Sequence, residues 1–183
     1  MKFLPFFERE NTMNLPQRKS IRIKGFDYST PGAYFVTICT QNRRKLFGTI
    51  NNGKSQLNSF GLIVKKEIDN IESHYANVRI DRYIIMPDHL HMIIVISEPF
   101  FPAGINPCPT IKCDIPNIVG KFKASVTRNV GNAFMHSENK KIWQTSFYDH
   151  VIRNENDYLK ICEYIETNAL VWNPDDFQIF LKN

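Results

Sequence analysis

The stretch Tyr83-Ile84-Ile85-Met86-Pro87-Asp88-His89-Leu90-His91-Met92-Ile93-Ile94-Val95-Ile96 decides how this chain is read. Its β-branched runs predict two strands, Val78 to Met86 and Leu90 to Ile96, and Pro87-Asp88 between them predicts a tight bend or bulge. Strand side chains alternate faces at about 3.3 Å per residue, so His89 and His91 point the same way with α-carbons about 7 Å apart, while Leu90 enters the core. Two neutral nitrogen donors placed like this can pinch one divalent cation. Two histidines on an exposed strand face, contributing little to packing, give the same pattern.

The chain has 183 residues, of which 43% are apolar and 14 are Phe, enough to bury the core of a single domain. Lys and Arg number 23 against 18 Asp and Glu, giving a net charge of +5 and a pI near 9.0. That balance leans toward a polyanionic partner without deciding it. Cys39, Cys108, Cys113 and Cys162 form no C-x-x-C pair, so free thiols in a reducing compartment are expected rather than a disulfide frame or a structural zinc. The apolar run Phe3-Leu4-Pro5-Phe6-Phe7 stops at Glu8-Arg9-Glu10, so neither a signal peptide nor a membrane span is expected.

Working outward from the histidines, Ala33 to Thr40 (AYFVTICT) follows Pro31-Gly32 and predicts a strand. Gly61 to Tyr75 spaces Val64, Ile68, Ile71 and Tyr75 along one helical face. Ser97 to Pro116 holds five of the ten prolines and reads as a long loop. Asp114 then caps a helix with Ile118, Phe122, Val126 and Val130 inward and with Lys121, Lys123, Thr127 and Arg128 on other faces, available to line a backbone groove. Phe147 to Arg153 predicts a further strand, in which Tyr148 and His150 either pack or contribute to a site wall. Trp143 is expected in the core. His74 falls at a helix end and His136 in a polar loop.

The last helix opens at Asn154, with Asp157 three residues on as an approximate capping box, and runs to about Asn168. At 100° per residue, Tyr158, Ile161, Cys162, Ile165 and Ala169 form its core stripe, and Tyr164 and Asn168 lie together on the flank. A border tyrosine of this kind is ordinarily amphipathic packing. At the other end of the chain, residues 1–17 read as a flexible extension and 18–183 as one domain. Arg18, Lys19, Arg22 and Lys24 crowd a basic arm that suits phosphates or, equally, a solvated strand.

Several of these segments together resemble one family. They are Arg18 to Tyr28 (RKSIRIKGFDY), Gly32-Ala33-Tyr34-Phe35-Val36-Thr37, Met86-Pro87-Asp88-His89-Leu90-His91, Trp143-Gln144 with Tyr148-Asp149-His150-Val151-Ile152-Arg153, and Tyr164-Ile165-x-x-Asn168. In this order they resemble the REP-associated tyrosine transposases, single-tyrosine HUH proteins, over about Arg18 to Trp172. Ala169 departs from the proline the family usually carries there.

The resemblance implies an α+β, ferredoxin-like (RRM-like) sandwich with an antiparallel sheet, helices on one face and a C-terminal helix that carries the catalytic tyrosine. On matching positions it implies Tyr164 as nucleophile, and His89, His91 and Asn168 as ligands of Mg²⁺ or Mn²⁺. It further implies cleavage and rejoining of single-stranded or hairpin DNA through a 5′-phosphotyrosine, in the bacterial cytoplasm at the nucleoid, by a monomer or a homodimer. Arg18, Lys19, Arg22, Lys24, Lys121, Lys123 and Arg128 are then candidate DNA grips. Two other readings remain: an RRM-like binding module stacking bases on Tyr34 and Phe35, and a metal-dependent phosphoesterase with a water nucleophile.

Overall fold

A computed structural model of the chain describes Ile23 and residues 25–98, 113–134 and 141–172. The elements, in chain order, are β1 (Gly32–Cys39), β2 (Gly48–Asn51), β3 (Lys54–Leu57), α1 (Ser59–Asp69), α2 (Ile71–His74), β4 (Val78–Ile85), β5 (His89–Ile96), α3 (Ile115–Phe134), β6 (Tyr148–Ile152) and α4 (Glu155–Val171). Four strands form an antiparallel sheet in the order β4-β5-β1-β6, and β2 and β3 form a separate hairpin. The basic arm Arg18, Lys19, Arg22 and Lys24, the N-terminal extension, Cys108 and His136 lie outside the described residues.

Strand alternation gives the sheet two apolar faces. Tyr34, Val36 and Ile38 of β1 and Leu90, Met92, Ile94 and Ile96 of β5 meet Val64 and Ile68 of α1 and Ile118, Phe122, Val126 and Val130 of α3 in the main core. Phe35 of β1 and Ile93 of β5 face the opposite way and pack with Ile161, Cys162 and Ile165 of α4 in a second, smaller core. Helices therefore cover both faces rather than one. The second face carries Ile84, Phe35, Ile93 and Ile152, too much apolar surface to leave in water.

Local chemistry accounts for most element ends. Asn58 Oδ1 accepts from Gly61 N at 2.9 Å, Asp114 Oδ1 from Asn117 N at 2.8 Å, and Asn154 Oδ1 from Asp157 N at 2.9 Å, so each starts its helix by satisfying an orphan N–H. The helix expected over Gly61 to Tyr75 is broken at Asn70 into α1 and α2. α4 runs one turn past Asn168, to Val171. The β2–β3 hairpin had a readable signal in Asn52-Gly53, whose φ values of +50° and +69° are those a tight two-residue turn needs. Its tip reaches α4, where Gly53 lies against Leu170.

Between β4 and β5 the chain turns in the smallest possible space. Met86 N donates to His89 O at 2.8 Å, Pro87 O accepts from Phe47 N at 3.0 Å, and Asp88 O accepts from Thr40 N at 3.0 Å. His89 thus stands at the first position of β5 on a turn tied down from two sides. In β4 a bulge between Ile80 and Arg82 turns Asp81 toward α4, where Tyr158 Oη donates to its Oδ2 at 2.6 Å.

Gly61, in the first turn of α1, lies against backbone: a Cβ there would stand 2.2 Å from Phe47 O. Gly61→Ala is expected to destabilise the protein by about 1–3 kcal/mol, since a carbonyl tied into the neighbouring loop cannot move aside. Thermal melts check this, and an unchanged midpoint would contradict the close approach.

Candidate active site

The site lies on the face of the sheet beneath α4, where alternation brings His89 and His91 of β5 beside Phe35, Thr37 and Cys39 of β1. The two imidazoles face each other with Nε2 atoms 3.0 Å apart. They are not on an exposed strand face as expected: His89 is 1% and His91 3% exposed, because α4 and Phe35 cover them. Phe35 stacks on His91 with ring centroids 5.3 Å apart.

Each imidazole has a second hold on its far side. Thr37 Oγ1 is 2.7 Å from His91 Nδ1, and Asp88 Oδ1 is 2.6 Å from His89 Nδ1. Arg43 closes the cluster, with its Nε 3.1 Å from Asp88 Oδ2 and one terminal nitrogen donating to Cys39 Sγ at 2.9 Å. Burial pushes the His89 pKa down, opposed by its hydrogen bond to Asp88, and pushes that of His91 well down, aided by the neighbouring His89 and Arg43. Both rings are therefore neutral near pH 7, with lone pairs available.

Tyr164, on the flank of α4, reaches this pair: its Oη is 3.1 Å from His91 Nε2. Its ring meets Phe35 edge-on at 6.1 Å. Burial raises the phenol's pKa to about 12, against smaller opposing contributions from a hydrogen bond to Asn168 and from the Arg43 charge. Asn168, one turn on, is buried, and its Oδ1 has no hydrogen-bond partner among the described residues. A buried acceptor left unpaired costs free energy unless something outside the protein fills it.

His89 Nε2 and His91 Nε2, with the buried and unpartnered Asn168 Oδ1 on the helix above, are neutral groups whose chemistry suits a divalent cation.

Two other tyrosines lie near. Tyr158 is bound to Asp81, and that hydrogen bond, first among several causes, lifts its pKa to about 12. Tyr148 is exposed and lies opposite Thr37 across the sheet. His150 pairs with Asp157 at 2.8 Å, so Asp157 serves the β6–α4 junction rather than closing a reciprocal box with Asn154. Trp143 is buried as expected, and Cys39, Cys113 and Cys162 are free thiols.

The basic residues of α3 do not act alike. Lys123 Nζ donates to Gln144 O and Ser146 O, both at 2.9 Å, and to Thr145 O at 3.4 Å. Its ammonium clamps a loop while the residue also lines the adjoining groove. Lys121 leans over the Tyr75 ring at 5.5 Å. Lys123, Arg128 and Lys141 border an open groove of about 570 Å³, together with Thr127 and Gln144.

Arg43 and Thr37 were not singled out from sequence, Asp88 only as part of the bend and Phe35 only as a base-stacking aromatic. Asp88 had a signal, its place beside His89 in the turn. Thr37 and Phe35 acquire their roles only through the β1–β5 register. Tyr34 is 1% exposed in the main core and Phe35 lies under α4, so the sheet presents neither as a stacking platform. Among the described residues no three His, Cys, Asp or Glu side chains gather as a metal cluster, and no helix is long and apolar enough to cross a membrane.

No family model matches the chain. It is 40% identical over 171 residues to an uncharacterised protein of Haemophilus influenzae, covering 88% of this chain and 93% of that one. A second Haemophilus influenzae protein, given provisionally as a REP-associated tyrosine transposase, is 25% identical over 151 residues, 79% of this chain and 73% of the other. Among solved structures, a REP-associated tyrosine transposase bound to a REP hairpin superposes with a TM-score of 0.56 at 22% identity, covering 84% of this chain and 73% of that one. That likeness extends to the mixed α/β fold with its antiparallel sheet. Together with the ordered motifs around His89, His91 and Tyr164, these relatives support the resemblance of the chain to the REP-associated tyrosine transposases.

Proposed function

We propose that the protein is a metal-dependent endonuclease and strand transferase of single-stranded DNA, built on a ferredoxin-like sandwich, acting at short palindromic hairpins. The observation that carries this reading is the contact of Tyr164 Oη with His91 Nε2 at 3.1 Å, beside a second imidazole 3.0 Å away. A phenol aimed into two neutral, buried nitrogens needs an external charge to become a nucleophile. His89, His91 and Asn168 would hold Mg²⁺ or Mn²⁺, which supplies Lewis-acid stabilisation of phosphoryl charge and favours the phenolate. In the transfer, the Tyr164 Oη–P bond forms as the P–O3′ bond breaks. The phenol gives up its proton and the departing 3′ oxygen gains one, leaving a 5′-phosphotyrosine and a free 3′-hydroxyl. Because the phosphodiester is exchanged rather than hydrolysed, reversal rejoins DNA without ATP.

Hairpin DNA as substrate is supported by the structural neighbour, which is described with a REP hairpin bound. The groove beside Arg128 and Lys141 is the described surface best suited to backbone phosphates. Arg18, Lys19, Arg22 and Lys24, which lie outside the described residues, are the further candidate phosphate grips in the sequence.

The test is covalent trapping on labelled single-stranded hairpin DNA with Mn²⁺. The wild-type protein is expected to form the adduct, and Tyr164→Phe to lose it while changing stability by no more than about 1 kcal/mol, since only one partly buried hydroxyl is removed. Peptide mapping that placed the phosphotyrosine on Tyr148 or Tyr158 would sink the assignment.

His91→Ala is expected to abolish cleavage and also to lower stability by about 1–3 kcal/mol, because the ring it removes is buried against Phe35. Melting curves beside cleavage assays separate the two effects. Full cleavage in magnesium would refute the ligand role.

DNA affinity should fall steeply with salt and weaken further in Arg128→Ala, with a smaller salt slope. Lys123→Ala should lower the melting temperature as well, since its loss frees three carbonyls in addition to removing a charge from the groove. Titrations at two salt concentrations read both.

A further inference from the structure

The histidine pair poses a physical problem. Two neutral imidazoles meet at Nε2 with 3.0 Å between nitrogens, and two lone pairs at that distance repel unless a proton or a cation lies between them. Which nitrogen of each ring carries its proton therefore matters, and the residues behind the rings decide it.

We propose that Asp88 and Arg43 are positioning residues that hold His89 in the Nδ1–H tautomer, so that its Nε2 lone pair always faces the space shared with His91. This deepens the reading of His89 as a metal ligand and rests on it for its functional consequence. A carboxylate oxygen only accepts, so Asp88 Oδ1 at 2.6 Å calls for the proton on His89 Nδ1. The other carboxylate oxygen is held by the Arg43 ion pair at 3.1 Å. A terminal nitrogen of Arg43 lies 3.3 Å from the same Nδ1, and Cys39 Sγ accepts from the guanidinium at 2.9 Å. The Arg43 head is thus fixed by Asp88 and Cys39, and its longer approach to Nδ1 yields to the shorter Asp88 contact, which claims the Nδ1 proton.

Its backbone is constrained to match. Asn42 and Arg43, with φ of +56° and +53°, are both left-handed without being glycine. Two such residues in succession are rare and persist where the surroundings hold them, often at functional sites. The turn places a guanidinium beside a buried imidazole, and Asp88 offsets the repulsion that this charge would exert on a bound cation. The Arg43 charge and burial both favour neutral rings.

His91 is held differently. Thr37 Oγ1, 2.7 Å from its Nδ1, is a hydroxyl that either donates or accepts. With His89 pinned, His91 in the metal-free protein carries its proton on Nε2 and donates to His89 Nε2, while the Thr37 hydroxyl donates to Nδ1. The rings are alike in sequence and unlike in tautomer.

Long-range ¹⁵N–¹H spectra of histidine side chains in the metal-free wild-type protein test this directly. A His89 with protonated Nδ1 and bare Nε2 is expected, and the opposite tautomer overturns the proposal. Asp88→Ala is expected to lose the Nδ1–H preference and to weaken Mn²⁺ binding about 10–100-fold, read from the free-Mn²⁺ EPR signal. Asp88→Asn keeps an oxygen acceptor and should restore the tautomer and most of the affinity. A folded Asp88→Ala with an unchanged His89 spectrum also overturns the proposal, and if that variant does not fold the wild-type spectrum decides alone. A wild-type protein that bound no Mn²⁺ yet showed His89 as Nδ1–H would defeat the ligand reading and leave the positioning role intact.

Discussion

Two imidazole nitrogens brought to 3.0 Å beneath a helix are the constraint around which the rest of this molecule is arranged. Burying polar rings is unfavourable unless each ring nitrogen finds a partner, and here Thr37, Asp88 and Tyr164 supply partners from three different elements. The central strands carry the pair, the β4–β5 turn supplies Asp88, and α4 closes the face and delivers Tyr164.

α4 can do this only if its rotation and height above the sheet are held. Its apolar stripe of Ile161, Cys162 and Ile165 packs on Phe35 and Ile93, but a small core of this kind permits sliding. Polar contacts remove that freedom: Tyr158 is bonded to Asp81 on the β4 bulge, Asp157 to His150 on β6, and Arg82 to Glu166. The bulge in β4 thereby acts on the site at a distance. It orients the carboxylate that fixes the helix that carries the phenol.

The opposite side of the sheet is a conventional core that includes buried carboxylates, Glu67 among them. Glu67 of α1 accepts from Ser125 Oγ at 2.5 Å and Asn129 Nδ2 at 2.8 Å, locking α1 to α3. Lys123 likewise serves the fold by tying α3 to the loop before β6. Lys123 thus holds the loop that leads into the sheet and, with Arg128, lines an open groove, a double duty that charge alone does not reveal.

Strand alternation, helical spacing and caps were sufficient to find β1, β4, β5, β6, α3 and α4, because these depend on period and end chemistry within a few residues. His89 and His91 were legible for the same reason: a period of two places them on one face whatever lies opposite. Tyr164 and Asn168 were legible as neighbours four apart on a helix flank, and their roles only through the family's ordered motifs. The tertiary structure decided what local patterns do not encode. It decided that the histidine face is covered rather than exposed, since covering depends on where α4 returns. It decided that Thr37 backs His91, which follows from strand register. It placed Arg43 on Asp88 and His89, which follows from a left-handed turn no neighbouring residue announces. Contacts between elements far apart in sequence arise from the packing of the whole chain, and they turn a pair of histidines into a site.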